Sequence, residues 1–399
     1  MNLLFKPIPN PVAGTIGFAS KPLIWPALSI MLALSFVPVG LRPTQSVLLL
    51  FSFALLLLGL PQLSWRTGLL LLLIAGIAAA QAIGVAHSTV EEKNFIRPAA
   101  FPFFLLVGVL AHMFARCIRI EQQGKYMAKV ATWLLGFFSI ECLTRFVLSP
   151  YLWARHVENE FAGMPLEVDR AFYHYKFSIF YVDSNNVGLA LLCLLALMLA
   201  FRRHLSGRQV ALGYLLLLLT FSRASIIAGL CQYLIYKFWH ARRWILLLII
   251  AAAPIVVYGL LASYISAGSE QLRQFDGSLA SKFLILQKMG EVYAGGDLRL
   301  WLFGIGAGNT EQLITIAAHS IIVTYALEFG IVGSILVTCY VWVLSRKSQS
   351  AKYLLVLPMV VNGFALILAS MPYFFVTLGV LSALTTPAAP SAEQLEMRK

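Results

Sequence analysis

The run Leu69-Leu-Leu-Leu-Leu-Ile-Ala-Gly-Ile-Ala-Ala-Ala-Gln-Ala-Ile-Gly-Val85 holds one polar residue, Gln81, and no charge. Its length is near that needed to cross the hydrocarbon core of a bilayer. In lipid such a run must close its own backbone hydrogen bonds, so it predicts a membrane-spanning helix. Similar runs recur on both sides of it, at Leu23–Val39, Ser46–Leu60, Phe101–Met113, Val130–Val147, Gly188–Ala200 and Trp244–Leu261. The 399-residue chain is 60% hydrophobic and only 12% charged. A soluble domain needs far more polar residues to cover its surface. The sequence thus predicts an all-α integral membrane protein of about twelve transmembrane helices. They are expected near 22–40, 45–62, 67–86, 99–117, 127–149, 183–201, 208–221, 224–239, 244–264, 318–344, 352–370 and 372–386.

The net charge of +13 suggests nucleic acid at first sight, but the cations sit in short loops between the apolar runs. With the N-terminus inside, the inside loops hold Arg66; Arg116, Arg119 and Lys125; Arg202, Arg203 and Arg208; Lys237, Arg242 and Arg243; and Arg346, Lys347 and Lys352. The acids Glu91, Glu92, Glu158, Glu160, Glu167, Asp169, Glu270, Asp276, Glu291, Asp297 and Glu311 fall outside. This is the positive-inside pattern, and it places both termini in the cytoplasm of a multi-pass inner-membrane protein. The chain divides into transmembrane helices over 1–149, a long outside loop over 150–182, and helices over 183–262. A second outside loop over 263–317, helices over 318–386 and a cytoplasmic tail over 387–399 complete it. Loops this long are uncommon without a purpose. No cleavable signal is evident, and the five cysteines show no metal spacing. Neither metal nor cofactor is expected.

Four features could carry chemistry. Lys176-Phe-Ser-Ile-Phe-Tyr-Val-Asp183-Ser-Asn185-Asn-Val-Gly188 opens the helix near 183–201. Asp183 or Ser184 can cap that helix, and its outward N-terminus with Arg170 and Lys176 before it suits an anion such as phosphate. Thr220-Phe-Ser-Arg223 follows a helix of about 14 residues. Such a helix reaches roughly 20 Å, short of the ~30 Å core, so Arg223 is expected to lie recessed in the outer leaflet. An intramembrane Arg is by default a functional candidate, and its guanidinium fork suits phosphate. The second long loop carries Arg273, Lys282, Arg299 and Phe303-Gly-Ile-Gly-Ala-Gly-Asn309, the glycines reading as a turn because no strand precedes them and no Gly-Lys-Ser/Thr follows. Finally, His319-Ser320 lies at the outer mouth of the span near 318–344, where imidazole could act as a base or hydrogen-bond partner. Glu328, nine residues on, is roughly 13 Å deeper and reads as an inter-helix structural contact.

The order of these features resembles the bacterial O-antigen ligase and O-antigen (exopolysaccharide) polymerase superfamily. The likeness covers roughly residues 170–345 and rests on Lys176 seven positions before Asp183-Ser184-Asn185, on Thr220-Phe221-Ser222-Arg223, on Lys282 with Phe303-Gly304-Ile305-Gly306, and on His319 with Glu328-Phe329-Gly330. The sequence departs from the pattern at Lys176 and Lys282, where Arg is usual, at Ser320 for Asn, and at Ile179 for Gly. Lys meets phosphate as a point charge, so Arg273 and Arg299 are candidates for the fork that Lys282 lacks. The resemblance implies a GT-C-like membrane glycosyltransferase whose donor is an undecaprenyl-pyrophosphate-linked glycan. His319 and Arg223 would be catalytic, while Arg170, Lys176, Asp183, Asn185, Arg273, Lys282 and Arg299 would bind pyrophosphate or glycan. The acceptor would be another lipid-linked repeat (polymerase) or lipid A-core (ligase), and the Lys176 variant leans to polymerase. Membrane lipids and a chain-length regulator stand as further partners, and nucleic acid does not. A lipid-glycan transporter or flippase is the alternative of another class; it would predict inverted repeats, and none is visible.

Overall fold

The computed structural model describes residues 21–36, 64–88, 90, 93, 95–118, 120–160, 175, 177–239, 244, 277–314, 320–363 and 371–384. The helices expected over 45–62 and 244–264 lie outside this set apart from Trp244, as does the tail. In chain order the main elements are α1 (Lys21–Ser35), α2 (Trp65–His87), α3 (Ile96–Cys117), α4 (Ile120–Glu160), β1 (Phe177–Ser178), β2 (Val182–Asp183), α5 (Ser184–Ala200), α6 (Gly207–Leu218) and α7 (Arg223–Lys237). Then follow α8 (Gly277–Gly295), α9 (Leu298–Phe303), α10 (Thr310–Ile314), α11 (Ile321–Val323), α12 (Gly330–Ser345), α13 (Leu357–Gly363) and α14 (Pro372–Ser382). β1 and β2 form a minimal antiparallel ladder pairing Phe177 with Asp183.

The bundle is that of an all-α membrane protein. Four helical segments, Trp65–His87, Ile96–Cys117, Gln122–Tyr151 and Thr324–Ser345, are long and apolar enough to cross a bilayer. α5 forms the axis: every residue from Val187 to Leu199 is buried. A helix apolar all round has no polar stripe to turn to solvent and so takes the centre. α4, α6, α7 and α14 pack around it. α3 and α14 cross closely, because Gly108 and Gly379 let the backbones meet; a Cβ on Gly379 would lie 2.2 Å from the Gly108 carbonyl. Small residues at such contacts bring helices within van der Waals range in membranes.

The charge pattern of the loops survives in three dimensions. Arg66 donates to the carbonyls of Val343 and Leu344 at the end of α12, and it feels the charges of Arg116 and Arg346. The His204 ring lies against Gly124 near the start of α4. These residues mark one end of the bundle, where no carboxylate occurs among the described side chains. Asp183, Arg223, His87, Arg97 and Gly363 mark the other end.

Three boundaries differ from the sequence expectation. α4 does not stop at 149 but continues through Pro150 to Glu160, inside the segment read as loop 150–182. Proline at that point removes only one backbone bond and leaves the helical φ in place. The segment 263–317 is not simply a loop, since it contains α8, α9 and α10. The span expected over 318–344 is not one regular helix either: Thr324–Phe329 is a π-helical turn, and Gly330 has φ +62°.

Candidate functional site

The α5 N-terminus is built as its sequence predicts. Asp183 has extended backbone, and its carboxylate accepts from the Asn186 amide at 2.8 Å, the hydrogen bond of an N-cap. The Asn185 amide donates to the other Asp183 oxygen at 3.3 Å. Both side chains are therefore engaged in shaping the helix start. Ser184, the first helical residue, is fully buried, and its hydroxyl has no hydrogen-bond partner among the described residues.

One helix away, α6 holds 12 residues and so rises only about 18 Å. It leads into Thr220-Phe-Ser-Arg223, where Phe221 adopts φ +53°. That left-handed conformation is unfavourable for a bulky side chain. Ring contacts hold it in place, with centroids 6.1 Å from Phe146 and 6.2 Å from Tyr175. Arg223 begins α7 and is solvent- or lipid-exposed. Beneath it runs a buried hydroxyl chain. Ser222 Oγ donates to Ser225 Oγ at 3.0 Å, and Ser225 Oγ donates to Asn362 Oδ1 at 3.3 Å. The Asn362 amide nitrogen has no acceptor among the described residues. Gly188 permits this arrangement, since a Cβ there would fall 2.3 Å from the Ser225 hydroxyl. The starts of α5 and α7 thus meet at one level, as parallel helices with both N-termini at the end opposite the cation-rich one.

A buried ion pair braces the turn from the α4 side. Arg145 Nε is 3.2 Å from Glu141 Oε1, and each side chain is 1% exposed. The guanidinium also donates to the carbonyls of Tyr175 and Leu219, both at 2.9 Å. Leu219 is the C-cap of α6, so Arg145 satisfies a carbonyl that the helix end leaves open. Neither residue was singled out from the sequence. The signal was there: an i,i+4 Glu–Arg pair inside the apolar run Val130–Val147 is costly enough in a membrane helix to mark a site. Asn362 carries no comparable signal, because one amide in an apolar helix is common.

The expected residues divide into three groups. Asp183, Asn185 and Arg223 come together at the junction just described. Arg299 does not join them: its guanidinium is 3.3 Å from His87 Nδ1, on α9, which packs against α2 and α12. Arg170, Lys176, Arg273 and His319 lie outside the described residues, and Lys282 belongs to α8 with its side chain outside them. Ile321 packs against Gly363, whose preceding residue Asn362 ends the hydroxyl chain from Ser222.

The glycine-rich segment is a structural knot. Gly304, Gly306 and Gly308 all have positive φ. The Ile305 and Gly306 amides donate to the carbonyls of Leu327 and Glu328 at 2.8 and 3.1 Å. Gln81 bridges the two strands of chain, accepting from the Ala307 amide at 2.7 Å and donating to the Glu328 carbonyl at 3.2 Å. The Glu328 carboxylate accepts from the Thr310 hydroxyl at 2.8 Å. Glu328 is thus the inter-helix contact its position predicts, and the glycines form a turn as read. Beside this knot, Met289, Tyr293, Trp301, Ala326, Ile331 and Ile335 line an apolar cleft of about 460 Å³. Burial beside Trp301 pushes the Tyr293 phenol up to about 12, so it stays neutral. No group of three or more metal-ligating side chains occurs among the described residues. No protein-family model matches the chain, and no curated protein matches it.

Proposed function

We propose that the protein is a membrane glycosyltransferase that polymerises undecaprenyl-pyrophosphate-linked oligosaccharide repeats into a surface polysaccharide. The observation that carries this reading is the junction of the α5 and α7 N-termini, with Arg223 exposed above the Ser222–Ser225–Asn362 chain. Two helix N-termini and a guanidinium favour a polyanion. The 12-residue α6 holds that point below the level of a full span, where a lipid pyrophosphate lies while its tail stays in the bilayer. The cations gathered at the opposite end support an orientation with that end in the cytoplasm and the junction facing the periplasm of a bacterial inner membrane.

On this reading the acceptor hydroxyl attacks the anomeric carbon, and the bond to pyrophosphate breaks. Arg223 stabilises the charge that develops on the leaving group, with Lys176, Arg170 and Lys282 as further cations. His319 assists the acceptor hydroxyl or the phosphate. The test is purified protein incubated with lipid-linked oligosaccharide, read out as longer chains and released undecaprenyl pyrophosphate. Arg223→Ala and His319→Ala are each expected to abolish growth while leaving expression intact. Near-normal activity in both would remove the site assignment. Transfer to lipid A-core in place of growth would make the protein a ligase. No product, together with substrate-dependent flux into vesicles, would make it a transporter.

A further inference from the structure

The end of the bundle remote from Arg223 holds a second cavity, of about 400 Å³, lined by Lys125, Ala128, Lys129, Thr132, Trp133 and His204. We propose that it binds the phosphate headgroup of an anionic phospholipid. Lys125, Lys129 and His204 are all exposed, and no carboxylate is among the described residues that line the space. The sequence around it, from Arg116 to Val130, sets four cations against one acid, Glu121. His204 is seated on Gly124, which brings the turn after α5 against the first turns of α4 and closes one wall. Thr132 of α4 closes the other wall, where it accepts a 2.9 Å hydrogen bond from Gln209 on α6.

The cavity's outline separates a lipid from a free anion. Lys125, Lys129, Thr132 and Trp133 follow one face of α4, and the same face continues through Gly136, Ile140, Leu143 and Val147. Trp133 is 81% exposed, Ile140 56%, Leu143 67% and Val147 62%. Among the described residues, no other segment comes within 4 Å of where a Cβ on Gly136 would sit. From Lys125 to Trp133 is about 12 Å, and from Trp133 to Val147 about 21 Å, along the axis. Cations, an indole, then an uncovered apolar stripe reproduce the order of headgroup, interface and acyl chain. Basic pockets between helices on the cytoplasmic side are suited to anionic headgroups. The inference needs the protein to span a membrane but not to be a glycosyltransferase.

The test is native mass spectrometry of the full-length protein in detergent, titrated with phosphatidylglycerol, phosphatidylcholine or inorganic phosphate. Wild type is expected to retain phosphatidylglycerol over phosphatidylcholine. Lys125→Gln and Lys129→Gln are each expected to weaken retention about fivefold, and the double variant roughly 25-fold. Lys352→Gln, a cation at the same end outside the cavity, should leave it unchanged. Equal retention of the two lipids, an equal loss in Lys352→Gln, or displacement of the lipid by millimolar phosphate would each overturn the proposal. Thermal unfolding of every variant in phosphatidylcholine checks that the fold is kept: a lysine variant that binds less only because it has unfolded counts against the site.

Discussion

Arg145→Met removes a cation from the centre of a three-way contact. The guanidinium is 1% exposed and holds Glu141 at 3.2 Å and the Tyr175 and Leu219 carbonyls at 2.9 Å each. Without it, Glu141, itself 1% exposed, is left as an unpaired buried carboxylate. Removing one partner of a buried pair typically costs 3–5 kcal/mol, so a loss of about 4 kcal/mol is expected. Glu141→Gln also leaves a buried charge, but Arg145 keeps both carbonyls and an amide oxygen still accepts, so its loss should fall at the low end, about 3 kcal/mol. The double variant Glu141→Leu/Arg145→Met removes both charges together. It should be less destabilised than Arg145→Met with Glu141 intact. Equilibrium unfolding in mixed micelles, followed by tryptophan fluorescence, measures each variant in a double-mutant cycle. Hydrogen exchange over Thr220–Ser225 supplies the local readout, since Arg145 caps the helix that leads into that turn. The reasoning fails if the Arg145 and Glu141 losses add without coupling. It also fails if Arg145→Met leaves exchange in the turn unchanged.

Three further outcomes follow from backbone geometry. Gly304→Ala should destabilise by about 3 kcal/mol, since glycine there has φ +67° and a Cβ would lie 2.6 Å from the Leu327 carbonyl. Gly68→Ala, which meets nothing within 4 Å in a helix interior, should be neutral or stabilise by up to ~1 kcal/mol in the same assay. Phe221→Gly and Phe221→Ala both delete the ring, but glycine accepts φ +53° freely. The glycine variant should therefore be the more stable by about 1 kcal/mol; the reverse order would show that the turn relaxes its backbone when the ring is lost.

The sequence by itself determined the class of fold and several local starts and stops. Apolar runs such as Leu69–Val85 leave the backbone no choice but helix, and α2 covers that run entirely. The Asp183 cap was legible because capping depends on a few adjacent residues. Gly188–Ala200 could be read as a helix but not as the axis of the bundle, although a helix apolar on every side has nowhere else to go. The loop cations were legible as a group, and the bundle gathers the described ones at one end.

Tertiary structure decided what depends on partners far apart in sequence. The continuation of α4 through Pro150 and the π-helical turn at Thr324–Phe329 are not fixed by local preference. The turn coincides with the point where the Gly304 segment bonds to Leu327 and Glu328, a contact no periodicity reports. Glu141 and Arg145 could have been flagged from their cost in an apolar run, but their carbonyl partners at Tyr175 and Leu219 could not. Asn362 reaches Ser225 across 137 positions of chain. A single hydrogen bond over that distance leaves no pattern in sequence. It exists because the packing of small residues, Gly188 above all, brings three helix ends to one level and buries polar groups that must then find one another.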